Sequence, residues 1–324
     1  ESSYTAWITQ NRETIAEMQR LEEENNRLFI DAYGLADELT PEVPIEQITL
    51  TVNPAYRYGG KKTEEEQWDR FRTDTAQEII SYAIGCMMGR YSLDEPGLAY
   101  ANSGNEGFEP SKYQTFPADD DGIVPITDYD WFDDDAYNRL ETFIATAWDK
   151  THLIENLTFI ADALGPNKGE APQDCIRRYL ASGFYKEHLS GYKKRPIYWM
   201  FSSGKERAFQ CLVYLHRYND STLARMRTQY VVPLQGKINS RIDQLESDIN
   251  SSTSTSHKKT LTRERDRLIK QKTELLSFDD KLHHYADKRI ELDLDDGVKV
   301  NYGKFGDLLA DVKAVHGKKP EVEG

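Results

Sequence analysis

The chain has 324 residues, 38% hydrophobic and 11% aromatic, enough to bury a core in one large domain or two smaller ones. Its net charge is -14, unevenly spread: residues 1–160 hold 12 Lys and Arg against 32 Asp and Glu, and residues 161–324 hold 29 against 23. A polyanion partner is therefore to be sought only in the second half.

No run approaches the roughly 18 apolar residues of a membrane span, and the first residues lack the basic-then-apolar pattern of a signal peptide. Three separated cysteines, Cys86, Cys175 and Cys211, sit in core-like runs and suit buried free thiols of a cytoplasmic protein. The pattern opens in mid-helix without an initiator Met, and a piece of something longer is expected.

From Tyr4 to Ala32, Trp7, Ile8, Ile15, Met18, Leu21, Leu28 and Phe29 share one helical face. Gly34 caps this helix, and Pro41 and Pro44 forbid its continuation. Imperfect alternation from Ile45 to Val52 predicts a short strand. The following Asn53-Pro54-Ala55-Tyr56 is close to the Asn-Pro-Pro-Tyr loop with which amino-methyltransferases hold the amine, but its second proline is alanine and no Gly-rich donor loop precedes it. An Asn-Pro turn closing the strand is preferred. Glu64–Met88 reads as an amphipathic helix, and 94–122 as a long irregular connection. Its tip, Asp119-Asp120-Asp121-Gly122, lacks calcium-loop spacing and is read as an Asp-Gly turn. Asp133, Asp134 and Asp135 are placed to cap the helix Tyr137–Trp148. Three short helices are expected across 151–192, broken by the loop 165–172.

The densest stretch is 193–235. The apolar residues Ile197, Trp199 and Phe201 have period two, then Phe209, Leu212, Val213 and Leu215 take helical spacing across Ser202, Ser203 and Gly204, which predicts strand, turn and helix. Ser202-Ser203-Gly204-Lys205 lacks the flanking residues of a phosphate loop, and no nucleotide is expected on it. His216 has no nucleophile beside it and is read as a packed imidazole. Lys193, Lys194, Arg195, Arg217, Arg225 and Arg227 are not needed for a core; they form either a solvated face or a contact with something anionic. Beyond Pro233, Ile238, Ile242, Leu245 and Ile249, then Leu261, Leu268, Leu275 and Leu282 at every seventh position, predict an antiparallel coiled-coil hairpin around Ser251–Ser256. Its outer faces hold Lys258, Lys259, Arg263, Arg265, Arg267, Lys270 and Lys272, either solvated coiled-coil charges or a rod lying along a phosphate backbone. Asp295-Asp296-Gly297 reads as the turn of a β-hairpin, followed by a helix Phe305–Val315.

The runs RPIYWMFSSGKERAFQCLVYLHRYN, LARMRTQYVVPLQ, EENNRLFIDAYGLADELTPEVP, SYAIGCMMGRYSLDEPGL, FPADDDGIVP and DLDDGVKVNYGKFGDLL resemble the C-terminal part of the PglX family, adenine-specific DNA methyltransferases of type 1 BREX phage-defence systems. A helix ending in Asn-Arg, a few residues and Tyr-Gly-Leu also resembles helices that follow target-recognition modules in related restriction-modification enzymes. The resemblance implies a parent enzyme that moves a methyl group from S-adenosylmethionine to adenine N6, with its donor-binding and catalytic loops upstream. No catalytic, cofactor or metal residue carries over to this chain.

The expectation is a mainly α fold with small β elements, in four parts: a connecting helix (1–40), a mostly helical globular domain (41–235), the hairpin (236–290) and a terminal segment (291–324). Its role would be DNA engagement, domain packing or partner docking for the upstream methyltransferase domain. The DNA-backbone candidates are Lys193, Lys194, Arg195, Arg217, Arg225, Arg227, Lys258, Lys259, Arg263 and Arg267. The competing reading is a protein-interaction module that binds other defence proteins without touching DNA.

Overall fold

The computed structural model describes residues 2–317. In chain order the α-helices are α1 (Ser2–Tyr33), α2 (Pro54–Tyr58), α3 (Glu64–Met87), α4 (Ala136–Ala147), α5 (Leu153–Leu164), α6 (Pro172–Ser182), α7 (Phe184–Gly191), α8 (Thr222–Arg225), α9 (Val232–Ser251), α10 (Thr255–Asp287), α11 (Gly297–Gly303) and α12 (Val312–His316). Strands β1 (Ile123–Ile126), β2 (Tyr198–Ser202) and β3 (Gln210–Tyr214) form one antiparallel sheet in the order β1-β3-β2. The fold is mainly α with a small β element, as the sequence predicts.

Two compact units divide the chain. The first comprises 1–79 with 154–165, and the second 80–153 with 166–324. Within the first, Ile15 of α1 packs with Val43 and Ile48, and Trp7 stacks on Phe71 of α3 with ring centroids 5.4 Å apart. The segment 45–52 forms a single 3-10 turn, Ile45–Gln47, and not the predicted strand. The cause is Asn53, whose Nδ2 donates to the carbonyls of Ile45 (2.7 Å) and Ile48 (2.9 Å), acceptors that a strand would need for its ladder.

In the second unit β3 is the central strand, and every one of its residues is buried. A strand covered on both faces reads as a continuous apolar run, which is why 209–215 mimics helical spacing and is in fact strand. Trp199 and Phe201 turn toward Tyr302 and Phe305 of the C-terminal segment (5.3 and 5.6 Å). Tyr198 instead stacks on His188 of α7 at 4.9 Å. The C-terminal segment is helical where a β-hairpin is predicted, because Asp293 accepts from Asp295 N and Asn301 Nδ2 donates to Asp293 O, closing local rings in place of a strand pair. Its predicted helix Phe305–Val315 is split into a 3-10 turn, Gly306–Leu308, and α12.

The chain between α8 and α9 passes through a π-helical turn, Met226–Val231, in which Val232 N donates to Arg227 O five residues back. Pro233 accounts for it: the ring lacks an N–H and would clash with the carbonyl four residues earlier in a straight α-helix. The helices α9 and α10 then form a hairpin seamed by Leu245, Leu261, Leu268, Leu275 and Leu282, all buried.

Candidate nucleic-acid interface

Helix α7 ends in two successive left-handed residues, Lys193 (φ 49) and Lys194 (φ 61), whose amides bond back to Ser190 O and Leu189 O. This is a helix C-cap without glycine. It turns Lys193, Lys194 and Arg195 outward, exposed and without an ion pair among the described residues. Beneath them His188 Nε2 accepts from Ile197 N (3.1 Å) and Tyr198 N (3.2 Å). Burial holds this imidazole far below its usual pKa, at about 3, so it is neutral and pins the start of β2.

Arg217 is elsewhere: it is 2% exposed and faces no solvent, contrary to its place among the DNA-backbone candidates. Its guanidinium donates to Asn105 Oδ1 (3.0 Å), to Asp119 O and to Asp120 O (2.9 Å), and lies 3.9 Å from the ring centre of Phe108. The acidic tip 119–122 is thus a structural turn. Asp119 Oδ1 accepts from the amides of Asp121, Gly122 and Ile123, and Gly122 (φ +74) leaves the space in which a Cβ would sit 3.1 Å from Arg217 Cβ. Asp135 caps α4 as predicted, accepting from Asn138 N at 2.9 Å.

Arg225 is half-buried and donates to Asn219 Oδ1 and Ser221 Oγ, while Arg227 grips Asp279 of α10 at 2.7 Å. Arg267 pairs with Asp128 at 3.1 Å. Arg227 and Arg267 tie elements together through carboxylate partners, whereas Arg225 donates to neutral oxygens just upstream of it in the chain.

The first half of α10 differs. Lys258, Lys259 and Arg263 are exposed and make no ion pair among the described residues. The neighbouring acids are already engaged, Glu264 by Arg241 at 2.8 Å and Asp266 by Arg265 at 2.7 Å. Lys259, Arg263 and Lys270 fall at i, i+4 and i+11, within one narrow face of the helix about 16 Å long. Lys270, one of the hairpin's outer charges though not among the ten DNA-backbone candidates, belongs to this stripe, and the helical period carries the signal.

The turn between β2 and β3 exposes two further cations, Lys205 and Arg207. Glu274 of α10 holds that turn by accepting from Ser203 Oγ (2.7 Å), Glu206 N (2.6 Å) and Ala208 N (3.2 Å). A carboxylate therefore occupies the place a phosphate would take, and a Cβ at Gly204 (φ +138) would meet it at 2.9 Å. Lys193–Arg195 lie at the opposite end of β2, so about 16 Å of strand separates them from this turn. The cations form two groups and not one patch. In the first unit, Asn53 spends its carboxamide on Ile45, Ile48 and Ala55 and is 1% exposed, so it caps α2 and is not free to hold an amine.

No helix among the described residues is long and apolar enough to cross a membrane. No family model matches the chain. It is 51% identical over 98% of its length to the adenine-specific methyltransferase BrxX of Escherichia coli O9:H4 (strain HS), of which it covers 27%. It is 39% identical over 94% of its length to the adenine-specific methyltransferase PglX of Lacticaseibacillus casei (strain Zhang), of which it covers 24%. The chain thus corresponds along nearly its whole length to one region of these methyltransferases and spans about a quarter of theirs.

Proposed function

We propose that this chain is a non-catalytic, C-terminal part of a site-specific adenine-N6 DNA methyltransferase of a BREX phage-defence system, and that its α10 stripe follows the DNA phosphate backbone. The methyl donor, S-adenosylmethionine, would be bound by the rest of the enzyme, in the cytoplasm. The observation that carries the DNA reading is the row Lys259, Arg263 and Lys270, exposed on one helical face while the acids beside it are neutralised by other arginines. Such a row gives backbone contact without base readout. Lys193, Lys194 and Arg195 would supply a second, separate phosphate contact.

The test is titration of duplex DNA with the chain and with a Lys259→Ala, Arg263→Ala, Lys270→Ala variant at several salt concentrations. The variant should bind every sequence more weakly, with the log–log salt slope shallower by about 0.9 per lost contact. Equal affinity and slope would instead favour docking to a protein. A feature of α1 supports that second reading: Leu28, Phe29 and Tyr33 are 66%, 56% and 73% exposed near its C-terminal end.

A further inference from the structure

Helix α1 spends polar groups on its own unit and leaves apolar side chains in water. Gln19 Nε2 donates to Val43 O (2.7 Å), Asn26 Nδ2 donates to Pro41 O (3.2 Å), and Glu23 Oε1 accepts from Val43 N (3.2 Å), beside the buried Ile15 and Ile30. Leu21, Leu28, Phe29 and Tyr33 stay exposed on the other side. Single exposed leucines are ordinary, but these belong to a repeat. Thr14, Met18, Leu21, Asn25, Leu28 and Ala32 follow alternating steps of four and three, the period of a coiled-coil seam, over about 27 Å of helix. All six except Met18 are exposed. At one end of the row Met18 and Leu21 meet Leu50 in a groove of about 410 Å³, with Glu13 and Glu17 also lining it. Near the other end Phe29 and Tyr33 stack on each other, with ring centroids 6.4 Å apart. Asn25 interrupts the seam, as a polar residue does where it fixes the register of a partner helix.

The charge around the row says what can cover it. Residues 11–52 hold ten Asp and Glu against three Arg and no Lys. Arg20 is already bonded to Glu17 and Glu24, each at 2.8 Å, whereas Glu13 and Asp31 make no ion pair among the described residues. A second copy of α1 laid along the first would set acid against acid on the flanks, which opposes association. A helix with apolar residues at the same period and Lys or Arg beside them satisfies both the seam and its flanks. We propose that this face of α1 is covered by such a basic, apolar-seamed helix from the part of the methyltransferase outside this chain. The relatives are about four times as long as the chain. A helix in the same polypeptide is held near α1 at high effective concentration and so outcompetes a separate protein. This inference rests on the reading of the chain as one part of a longer enzyme, and does not depend on the α10 stripe.

The experiment puts the photo-crosslinking amino acid p-benzoylphenylalanine in place of Leu21 or of Leu28 in the full-length enzyme and irradiates it in cells. Peptide mapping should find the link on a helix of the same polypeptide outside this chain, with Lys or Arg flanking its apolar seam. The double variant Glu13→Lys, Asp31→Lys should lower the yield at least about fivefold, because like charges then face each other. It should leave the unfolding midpoint unchanged, since both side chains are exposed. A link between two copies, to another protein, within this chain or to a segment without basic residues would overturn the proposal. So would a yield indifferent to the charge reversal, or no link from either position. The intact mass of the cellular polypeptide tests the premise separately: a polypeptide about four times the length of this chain is expected, and a free-standing chain would remove the reading as part of a longer enzyme, whatever α1 binds.

Discussion

Around Arg217 a positive charge is spent inside the protein, on two carbonyls, an asparagine and the face of an aromatic ring. Along the first half of α10, Lys258, Lys259, Arg263 and Lys270 stay in water, and the acids beside them are paired to arginines. The two regions put basic side chains to opposite uses. The difference lies in what surrounds each guanidinium: a buried one must have its hydrogen bonds met, whereas an exposed one contributes little to stability and is free for a partner.

Four substitutions or conditions test this contrast. Leu268→Asp should have the largest effect, because it removes a fully buried leucine from the α9–α10 seam and puts a carboxylate in its place. A loss above about 4 kcal/mol in urea unfolding is expected; an unchanged melt would mean that the seam does not hold the hairpin. Arg217→Ala comes next, at about 3 kcal/mol, since it leaves the carbonyls of Asp119 and Asp120 without their donor. A loss below about 1 kcal/mol would place Arg217 with the solvated cations.

Acid acts on His188. Its folded pKa, about 3, is below the unfolded value near 6.5, so the unfolded chain takes up the proton first. Its contribution is complete above about pH 6.5 and is lost as pH falls toward 3. The stability difference between wild type and His188→Gln should narrow by up to about 1.4 kcal/mol per pH unit across that window, as denaturant titrations at several pH values would show. A difference independent of pH would mean that the imidazole is not held neutral. The smallest effect on folding belongs to the Lys259→Ala, Arg263→Ala, Lys270→Ala variant, within about 0.5 kcal/mol of wild type by the same unfolding assay. A larger loss would show that the stripe is part of the packing.

The long helices α1, α3 and α10 were legible in the sequence, because each repeats its apolar residues over many turns, although in α1 Leu21, Leu28 and Phe29 of the predicted face stay exposed. The seam leucines Leu261, Leu268, Leu275 and Leu282 are buried as their spacing predicts. Among the short elements, strand β2, helix α4 and the three helices α5, α6 and α7 were legible, and others were not. Strand β3 has five residues, all buried, and its pattern cannot be told from a buried helix until β1 and β2 are seen on either side. The segments 45–52 and 292–300 fail for another reason: Asn53, Asp293 and Asn301 draw nearby backbone groups into local hydrogen bonds that no apolar period announces. The same limit hides Arg217, since nothing near it in sequence signals that residues 105 and 119–120 close over its guanidinium. The open face of α10 could be read partly from spacing alone.

The turn at Met226–Val231 acts as a phase adjuster between two screws. A π-helical turn holds one residue more than an α-helical turn, and a residue in an α-helix corresponds to about 100° of rotation. The side chains before it, Thr222 and Leu223 buried in α8 among them, therefore meet α10 at an angle that an uninterrupted α-helix running into α9 would not give. Removing a single residue here would leave the α9–α10 seam in register with itself but swing α8 by roughly a quarter turn or more and pull Arg227 off Asp279. The extra residue is thus the spacer that lets one continuous helical path seat both α8 and α9 against α10.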